Sequence, residues 1–334
     1  MTEGENHNSV LVRVRDLTVH FPAKKKNLFG ERSTVHAVDG VSFDIRKGTS
    51  FGLVGESGSG KTTTALAMIR LIPVTSGRME LDGVDVTRME GEDLRRLRRR
   101  MQVIFQDPYS SLNPRMRAGD IVREPMDLMK VGDPAQRSEK VGELFRNVGL
   151  RPEQRVLFPH QFSGGQRQRI GVARALASWP DLIVCDEPVS ALDMAIQAQI
   201  LNLLRTLQRD FNLTYLFISH DLGVIQYMCD EIAVMYLGQI VEQADRVSLF
   251  KQPLHPYTQA LFSAVPSADP EVNKARRRLK VQGDPPSPID PPPGCRFAPR
   301  CYLAKDLCPT ENPVRREVTP SHFVSCHLFS RGDR

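Results

Sequence analysis

Ser50-Phe51-Gly52-Leu53-Val54-Gly55-Glu56-Ser57-Gly58-Ser59-Gly60-Lys61-Thr62-Thr63 is the stretch that decides the fold of this chain. An apolar run, Ser50–Val54, leads into a glycine-rich loop, and a helical pattern follows from Thr63 to Leu71. Strand, loop and helix in that order are the context in which the P-loop formula carries its chemistry. The glycines let the backbone bend so that its N–H groups, together with the helix N-terminus, surround phosphate groups. Lys61 is expected to reach the β- and γ-phosphates of a nucleoside triphosphate, and the Thr62 hydroxyl to ligate Mg²⁺.

Leu182-Ile183-Val184-Cys185 is an apolar run suited to a buried parallel strand, and it ends in Asp186-Glu187. Parallel sheets bind ligands at the carboxyl ends of their strands. This is the Walker B pattern: Asp186 is expected to hold Mg²⁺ through its water shell, and Glu187 to orient or deprotonate the attacking water. Cys185 reads as a small core residue.

From Val10 to about Gln243, β-rich runs alternate with helical patterns, the signature of an α/β fold on a mainly parallel sheet. The expected strands are Leu11–Val19, Val41–Ile45, Ser50–Val54, Met101–Phe105, Leu182–Cys185, Leu216–Ser219 and Glu231–Tyr236. Between Pro114 and about Ala177 helical patterns take over, which predicts a helical subdomain at about 107–177. Beyond Gln243, Pro253, Pro256, Pro266 and Pro270 precede a proline-dense run from Pro285 to Pro293, a composition that disfavours helix and central strand. Two domains are therefore expected, 1–245 and 246–334, with Asp284–Pro293 as a stiff extended linker.

Phe162-Ser163-Gly164-Gly165-Gln166 resembles the LSGGQ signature of ABC ATPases, with Phe in place of the leading Leu. A serine and two glycines ahead of a helix can offer a hydroxyl, N–H groups and the helix dipole to a γ-phosphate. The family's other landmarks follow in order. Phe21 sits where an aromatic that stacks on adenine is found, with a plain core aromatic as the competing reading. Gln106 resembles the Q-loop glutamine that senses Mg²⁺ and the membrane partner. Ser190-Ala191-Leu192-Asp193 resembles the D-loop. His220, ahead of Asp221, resembles the switch histidine that contacts the γ-phosphate. The resemblance implies a P-loop ABC nucleotide-binding domain. It also implies that two cassettes meet head to tail, the P-loop of one facing Ser163, Gly164, Gly165 and Gln166 of the other across ATP.

Gln106-Asp107-Pro108-Tyr109-Ser110-Ser111-Leu112-Asn113-Pro114-Arg115-Met116 is similar to the segment after the Q-loop in peptide-permease ATPases, particularly their F-type subunit. His255-Pro256-Tyr257-Thr258 and Leu261-Phe262-Ser263-Ala264-Val265-Pro266 resemble that family's C-terminal extension. These resemblances imply an ATP-hydrolysing motor for dipeptide or oligopeptide import. They imply as partners a D-type ATPase subunit, two integral membrane permease subunits and an external substrate-binding protein, at the cytoplasmic face of a bacterial inner membrane. Close relatives import nickel, glutathione or opines.

Of six cysteines, Cys295, Cys301, Cys308 and Cys326 crowd the last 40 residues, with five, six and seventeen residues between successive members. Four thiolates at one site suit a structural Zn²⁺ or a [4Fe–4S] cluster, and uncomplexed thiols are a third reading. The tail resembles the cysteine-rich extension of peptide-permease ATPases, which implies the cluster.

The remaining composition is that of an ordinary globular protein, with 40% hydrophobic and 25% charged residues. The polar, acidic start MTEGENHNSV predicts no export signal, and no apolar run approaches the ~20 residues of a membrane-spanning helix. The net charge of +6 and the basic clusters at Lys24–Lys26, Arg95–Arg100 and Arg276–Arg278 raise nucleic-acid binding as a second reading. ABC proteins of that kind carry two cassettes in one chain or a long coiled-coil insertion. The chain shows neither, and no nucleic acid is expected.

Overall fold

The computed structural model describes residues 9–23, 33–107, 109–264, 281 and 283–330. Along the chain run β1 (Val10–Pro22), β2 (Thr34–Arg46), β3 (Ser50–Val54), α1 (Lys61–Met68), β4 (Ser76–Leu81) and β5 (Val84–Asp85). Then come α2 (Gly91–Arg100), β6 (Met101–Ile104), α3 (Ala118–Leu128), α4 (Arg137–Asn147), α5 (Gly164–Leu176) and β7 (Leu182–Asp186). After these come α6 (Met194–Phe211), β8 (Thr214–Ile218), α7 (Leu222–Met228), β9 (Glu231–Tyr236) and β10 (Gln239–Asp245). The chain continues through α8 (Arg246–Lys251), α9 (Pro256–Ser263), β11 (Arg315–Thr319) and β12 (His322–Ser325). Two compact bodies result, the first centred on Glu80–Ile218 and the second on Arg13–Phe43, Phe51–Met79 and the chain from Ser219 onward.

The first body is organised by three parallel strands in the order β8-β7-β6, with Met101 opposite Leu182 and Leu182 opposite Thr214. Ile183, Tyr215, Leu216 and Phe217 are each 0% exposed, as expected of parallel strands covered on both faces. Each such side chain contributes about 1.5–3 kcal/mol relative to an exposed one. Cys185 is part of this core, and burial pushes its thiol well above the ordinary range, so it is no nucleophile at neutral pH. Helix α6 faces the core with Ile200, Leu201, Leu204 and Leu207, one stripe at helical spacing. Asp193 caps its start, and Asn212 ends it in the left-handed conformation. The described residues between 107 and 181 contain no strand, and α3, α4 and α5 pack on one another there.

The second body carries the strand order β11-β12-β10-β9-β3. Strands β3 and β9 are parallel, whereas β9-β10, β10-β12 and β12-β11 are antiparallel. The parallel pairing of β3 with β9 is as expected, whereas the antiparallel strands beyond β9 were not contained in the sequence reading.

Three other expectations need correction. Strands β1 and β2 run past Leu11–Val19 and Val41–Ile45, and of the added residues only Val38 is buried, so the apolar runs that marked these strands end before the strands do. The proline-rich composition beyond Gln243 does not prevent helix: α9 begins at Pro256, a first-turn position whose missing N–H is not needed, and the His255 side chain accepts from the Tyr257 N–H as its cap. Within Asp284–Pro293, Ile289 bridges to Val35, and His36 N donates to Pro288 O at 2.9 Å, so this stretch lies against β2 instead of spanning space. Lys24–Lys26, Pro108, Val265, Pro266, Pro270 and Arg276–Arg278 lie outside the described residues. Among the described residues no helix is long and apolar enough to cross a membrane.

Candidate functional site

In the second body, β3 is buried at every position and delivers the glycine-rich loop to the start of α1. Gly60 has φ 101°, and a Cβ there would lie 2.3 Å from Ala37 O, so only glycine fits. Ser57, Gly58 and Thr62 are exposed on the loop, while Ser59 and Lys61 are buried and Thr63 is half-buried. The Lys61 ammonium donates to Gly55 O and Glu56 O, both at 2.9 Å, and to Ser59 Oγ at 3.3 Å. It therefore lies curled under the loop, over which phosphates bind in the P-loop formula. Gly238 N donates to Ser59 O at 2.8 Å, so the β9–β10 turn braces the loop from behind.

Two residues absent from the sequence reading of this site also meet the loop. Tyr257 Oη accepts from Glu56 N at 2.8 Å, and Arg300 Nη1 and Nη2 donate to the Glu56 carboxylate at 2.9 and 3.4 Å. His220 is exposed just beyond Ser219, whose N–H points to Leu53 O of β3 at 3.5 Å. Phe21 is 36% exposed near the end of β1, so it is not a core aromatic.

In the first body, Asp186 ends β7, and Glu187 follows at φ 47°, an uncommon conformation for a residue with a side chain. Glu187 N donates to Ile218 O at 2.9 Å, and Ser190 Oγ donates to Glu187 O at 3.1 Å, which hold that turn. Gln106 Nε2 donates to Glu187 Oε2 at 2.8 Å. Two of the expected site residues thus meet directly.

Ser163 is the N-cap of α5: its Oγ accepts from Gln166 N at 3.3 Å, and Gln166 Oε1 accepts from Ser163 N at 3.0 Å. Gln166 therefore shapes the helix start on which Ser163, Gly164 and Gly165 sit. Buried Gln168 donates to Pro188 O at 2.7 Å, joining the signature helix to the turn after Glu187. The segment after Gln106 rests on the same helix, with Arg167 4.1 Å over the Tyr109 ring and Arg174 donating to Ser111 O. Asp193 is committed as a cap, accepting from Ile196 N at 3.0 Å.

Cys295, Cys301, Cys308 and Cys326 are all free thiols. Cys295 N donates to Cys308 O at 2.7 Å, an approach that needs Gly294, where a Cβ would lie 2.3 Å from the same oxygen. Burial pushes the Cys326 thiol up to about 12, with further effects from Cys295, Cys301 and Cys308, so the four thiols share one neighbourhood. Burial likewise raises Cys295 and Cys301. No three of the four Sγ atoms lie mutually within 4.8 Å. A Zn²⁺ with bonds of ~2.3 Å would need its four sulfurs about 3.8 Å apart.

His20, His36 and Asp39 form the one compact group of metal-ligating side chains among the described residues. They are engaged with one another: His20 Nε2 and His36 Nδ1 lie 3.2 and 3.3 Å from the Asp39 carboxylate, which Arg296 also takes. Burial opposes the Asp39 charge, yet Arg296 and the two imidazoles hold its carboxyl below the ordinary range. On α2, Arg95 and Arg96 pair with Glu92 and Asp93, and Arg100 pairs with Asp82 and Asp181, so this basic cluster is largely neutralised.

The family model for ABC transporter matches residues 38–190, and that for the oligopeptide/dipeptide transporter C-terminal region matches 241–308. The chain is 47% identical to the oligopeptide transport ATP-binding protein AppF of Bacillus subtilis over 97% of this chain and 99% of the relative. It is 50% identical to a putative peptide import ATP-binding protein of Brucella ovis over 95% and 97%. Among solved structures, a dimeric ATP-binding cassette in a post-hydrolysis state with ADP and Pi bound superposes with a TM-score of 0.62. That match is at 26% identity and covers 71% of this chain and 99% of the cassette.

Proposed function

Since this chain belongs to the ABC transporter ATP-binding proteins that carry the oligopeptide/dipeptide transporter C-terminal region, we propose that it hydrolyses ATP to drive import of dipeptides or oligopeptides. The observation that carries this reading is near full-length similarity to peptide transport ATP-binding proteins in a chain that also holds the P-loop, signature and Walker B segments.

Gly55–Thr63 take the phosphates: loop amides point at oxygens, and the Lys61 ammonium exchanges its loop carbonyls for the β- and γ-phosphates. Phe21 stacks on adenine. The Thr62 hydroxyl, the Gln106 amide and the Asp186 carboxylate are hard oxygen donors that suit Mg²⁺, which when bound neutralises charge developing on the phosphates. Glu187 orients and deprotonates the attacking water, and His220 contacts the γ-phosphate. Ser163, Gly164 and Gly165 offer the capped start of α5 to ATP held by a partner cassette, with Gln166 keeping that start in shape and Asp193 at the joint. Closing and opening of that pair is the stroke transmitted to the membrane.

The partner cassette is a related D-type subunit, and two permease subunits and an external binding protein complete the complex at the cytoplasmic face of the inner membrane. The domain plan is 1–245 for the cassette, with a helical subdomain at about 107–177, and 246–334 for the extension. Cys295, Cys301, Cys308 and Cys326 hold a [4Fe–4S] cluster, a reading supported by four free thiols in one short stretch of chain and by the resemblance of that stretch to the cysteine-rich extension of peptide-permease ATPases.

The test is reconstitution of the chain with its D-type, permease and binding-protein partners in vesicles. ATP-dependent accumulation of a labelled tripeptide is expected. Accumulation of nickel or glutathione with no peptide uptake would move the substrate to another branch of the family.

A further inference from the structure

Besides the Gly238 brace on Ser59, the glycine-rich loop is gripped from outside at Glu56. Tyr257 holds the Glu56 amide at 2.8 Å, and Arg300 holds both carboxylate oxygens at 2.9 and 3.4 Å. Glu56 O, in turn, accepts from the Lys61 ammonium at 2.9 Å. One residue, Glu56, therefore links Arg300 to the lysine that is to meet the phosphates.

The grip is built into a packed region. Tyr257 is 1% exposed, and its ring packs with those of Tyr236 and Phe297 at centroid distances of 4.7 and 5.4 Å. The Arg300 side chain is 9% exposed, and its Nη1 also donates to Tyr236 Oη at 3.3 Å. Tyr257 and Arg300 both fall within 241–308, the part matched by the C-terminal region model, and Arg300 immediately precedes Cys301.

We propose that Arg300, with Tyr257, is a positioning residue for ATP. By holding its amide N–H and its side-chain carboxylate, the pair fixes Glu56 so that Lys61 and the loop amides are pre-set for phosphate, which makes the C-terminal extension part of the nucleotide site. This inference rests on the ATP-binding reading of the loop. A loop with glycines at positions 55, 58 and 60 has many backbone conformations open to it. Binding must order whatever the fold has not already ordered, and the ordering lowers affinity. A bidentate guanidinium–carboxylate pair fixes direction as well as distance, which a lysine ammonium does not reproduce.

The test measures binding of MANT-ATP with Mg²⁺ to the full-length chain by fluorescence, together with ATP KM and kcat in the assembled transporter. Arg300→Ala and Glu56→Gln are each expected to weaken binding about tenfold, with Arg300→Lys between them and the wild type. For Arg300→Ala, KM is expected to rise by a similar factor while kcat at saturating ATP changes little. The double variant Arg300→Ala/Glu56→Gln is expected to bind no more weakly than the worse single variant, because both remove one contact.

Wild-type affinity in both single variants, with only a lower melting temperature, would make the pair a structural weld and overturn the proposal. Additive losses in the double variant would overturn it too. If the wild-type chain shows no saturable MANT-ATP binding, the ATP reading falls and this inference with it; binding that the variants leave unchanged removes this inference alone.

Discussion

Gln106 donates its side-chain amide to the Glu187 carboxylate at 2.8 Å. The two residues follow neighbouring parallel strands, β6 and β7, where Ile104 lies opposite Cys185. The carboxylate expected to activate water is thus held by the glutamine expected to sense Mg²⁺. Glu187→Gln should bind ATP normally and lose turnover by about 10²–10⁴-fold, the usual contribution of a general base. Single-turnover hydrolysis alongside MANT-ATP binding checks this, and an unimpaired rate would remove Glu187 from the role.

Gln168 is a buried amide whose bond to Pro188 O ties the signature helix to the turn after Glu187. In Gln168→Leu the Pro188 carbonyl loses this donor, which should cost about 1–3 kcal/mol of stability. ATP turnover should fall more than ATP binding, since the turn it supports carries Glu187. Urea denaturation and steady-state kinetics on the same preparation check both parts.

His255 gives the pH dependence its sign. Burial depresses its imidazole from 6.5 to about 3. Above pH 6.5 the ring is neutral in both folded and unfolded chains and contributes no slope. As pH falls from 6.5 toward 3, only the unfolded chain gains the proton, so stability should drop by up to about 1.4 kcal/mol per pH unit. Below 3 both states are protonated, and the slope from this residue ends. His255→Asn keeps a side-chain acceptor for Tyr257 N and should flatten the loss of stability between pH 7 and pH 5. Equal slopes in urea titrations of variant and wild type would contradict the assignment.

The four thiols make a compositional prediction. Protein purified without oxygen should contain iron and acid-labile sulfide in equal amounts and absorb broadly in the visible. Cys326→Ser should lower both contents. Stoichiometric zinc without sulfide would contradict a cluster.

Much of the site was legible because its segments are local. The run Ser50–Thr63 announces strand, loop and helix within one window, and Leu182–Glu187 places two acids at a strand end with no help from elsewhere. Gln166 was only half legible: read as a nucleotide ligand, it also closes a capping box with Ser163, a role that Ser-x-x-Gln ahead of a helix does announce. The grip on Glu56 was not legible. Tyr257 and Arg300 lie 201 and 244 residues from it, and nothing in a linear reading pairs a loop glutamate with one arginine among many. Strands β11 and β12 were missed for a different reason: Arg315–Thr319 is short and mostly exposed at the sheet edge, with no apolar alternation to mark it. Helix α9 was hidden by Pro256, which reads as a breaker until its place in the first turn is known.

ATP-dependent uptake of a labelled peptide by the assembled transporter, compared between wild type and Lys61→Ala, tests ATP-driven import most directly. The ammonium now held by Gly55 O and Glu56 O should be indispensable to the phosphates, so the variant should lose nucleotide affinity and uptake together. Uptake and turnover at wild-type levels without Lys61 would contradict it.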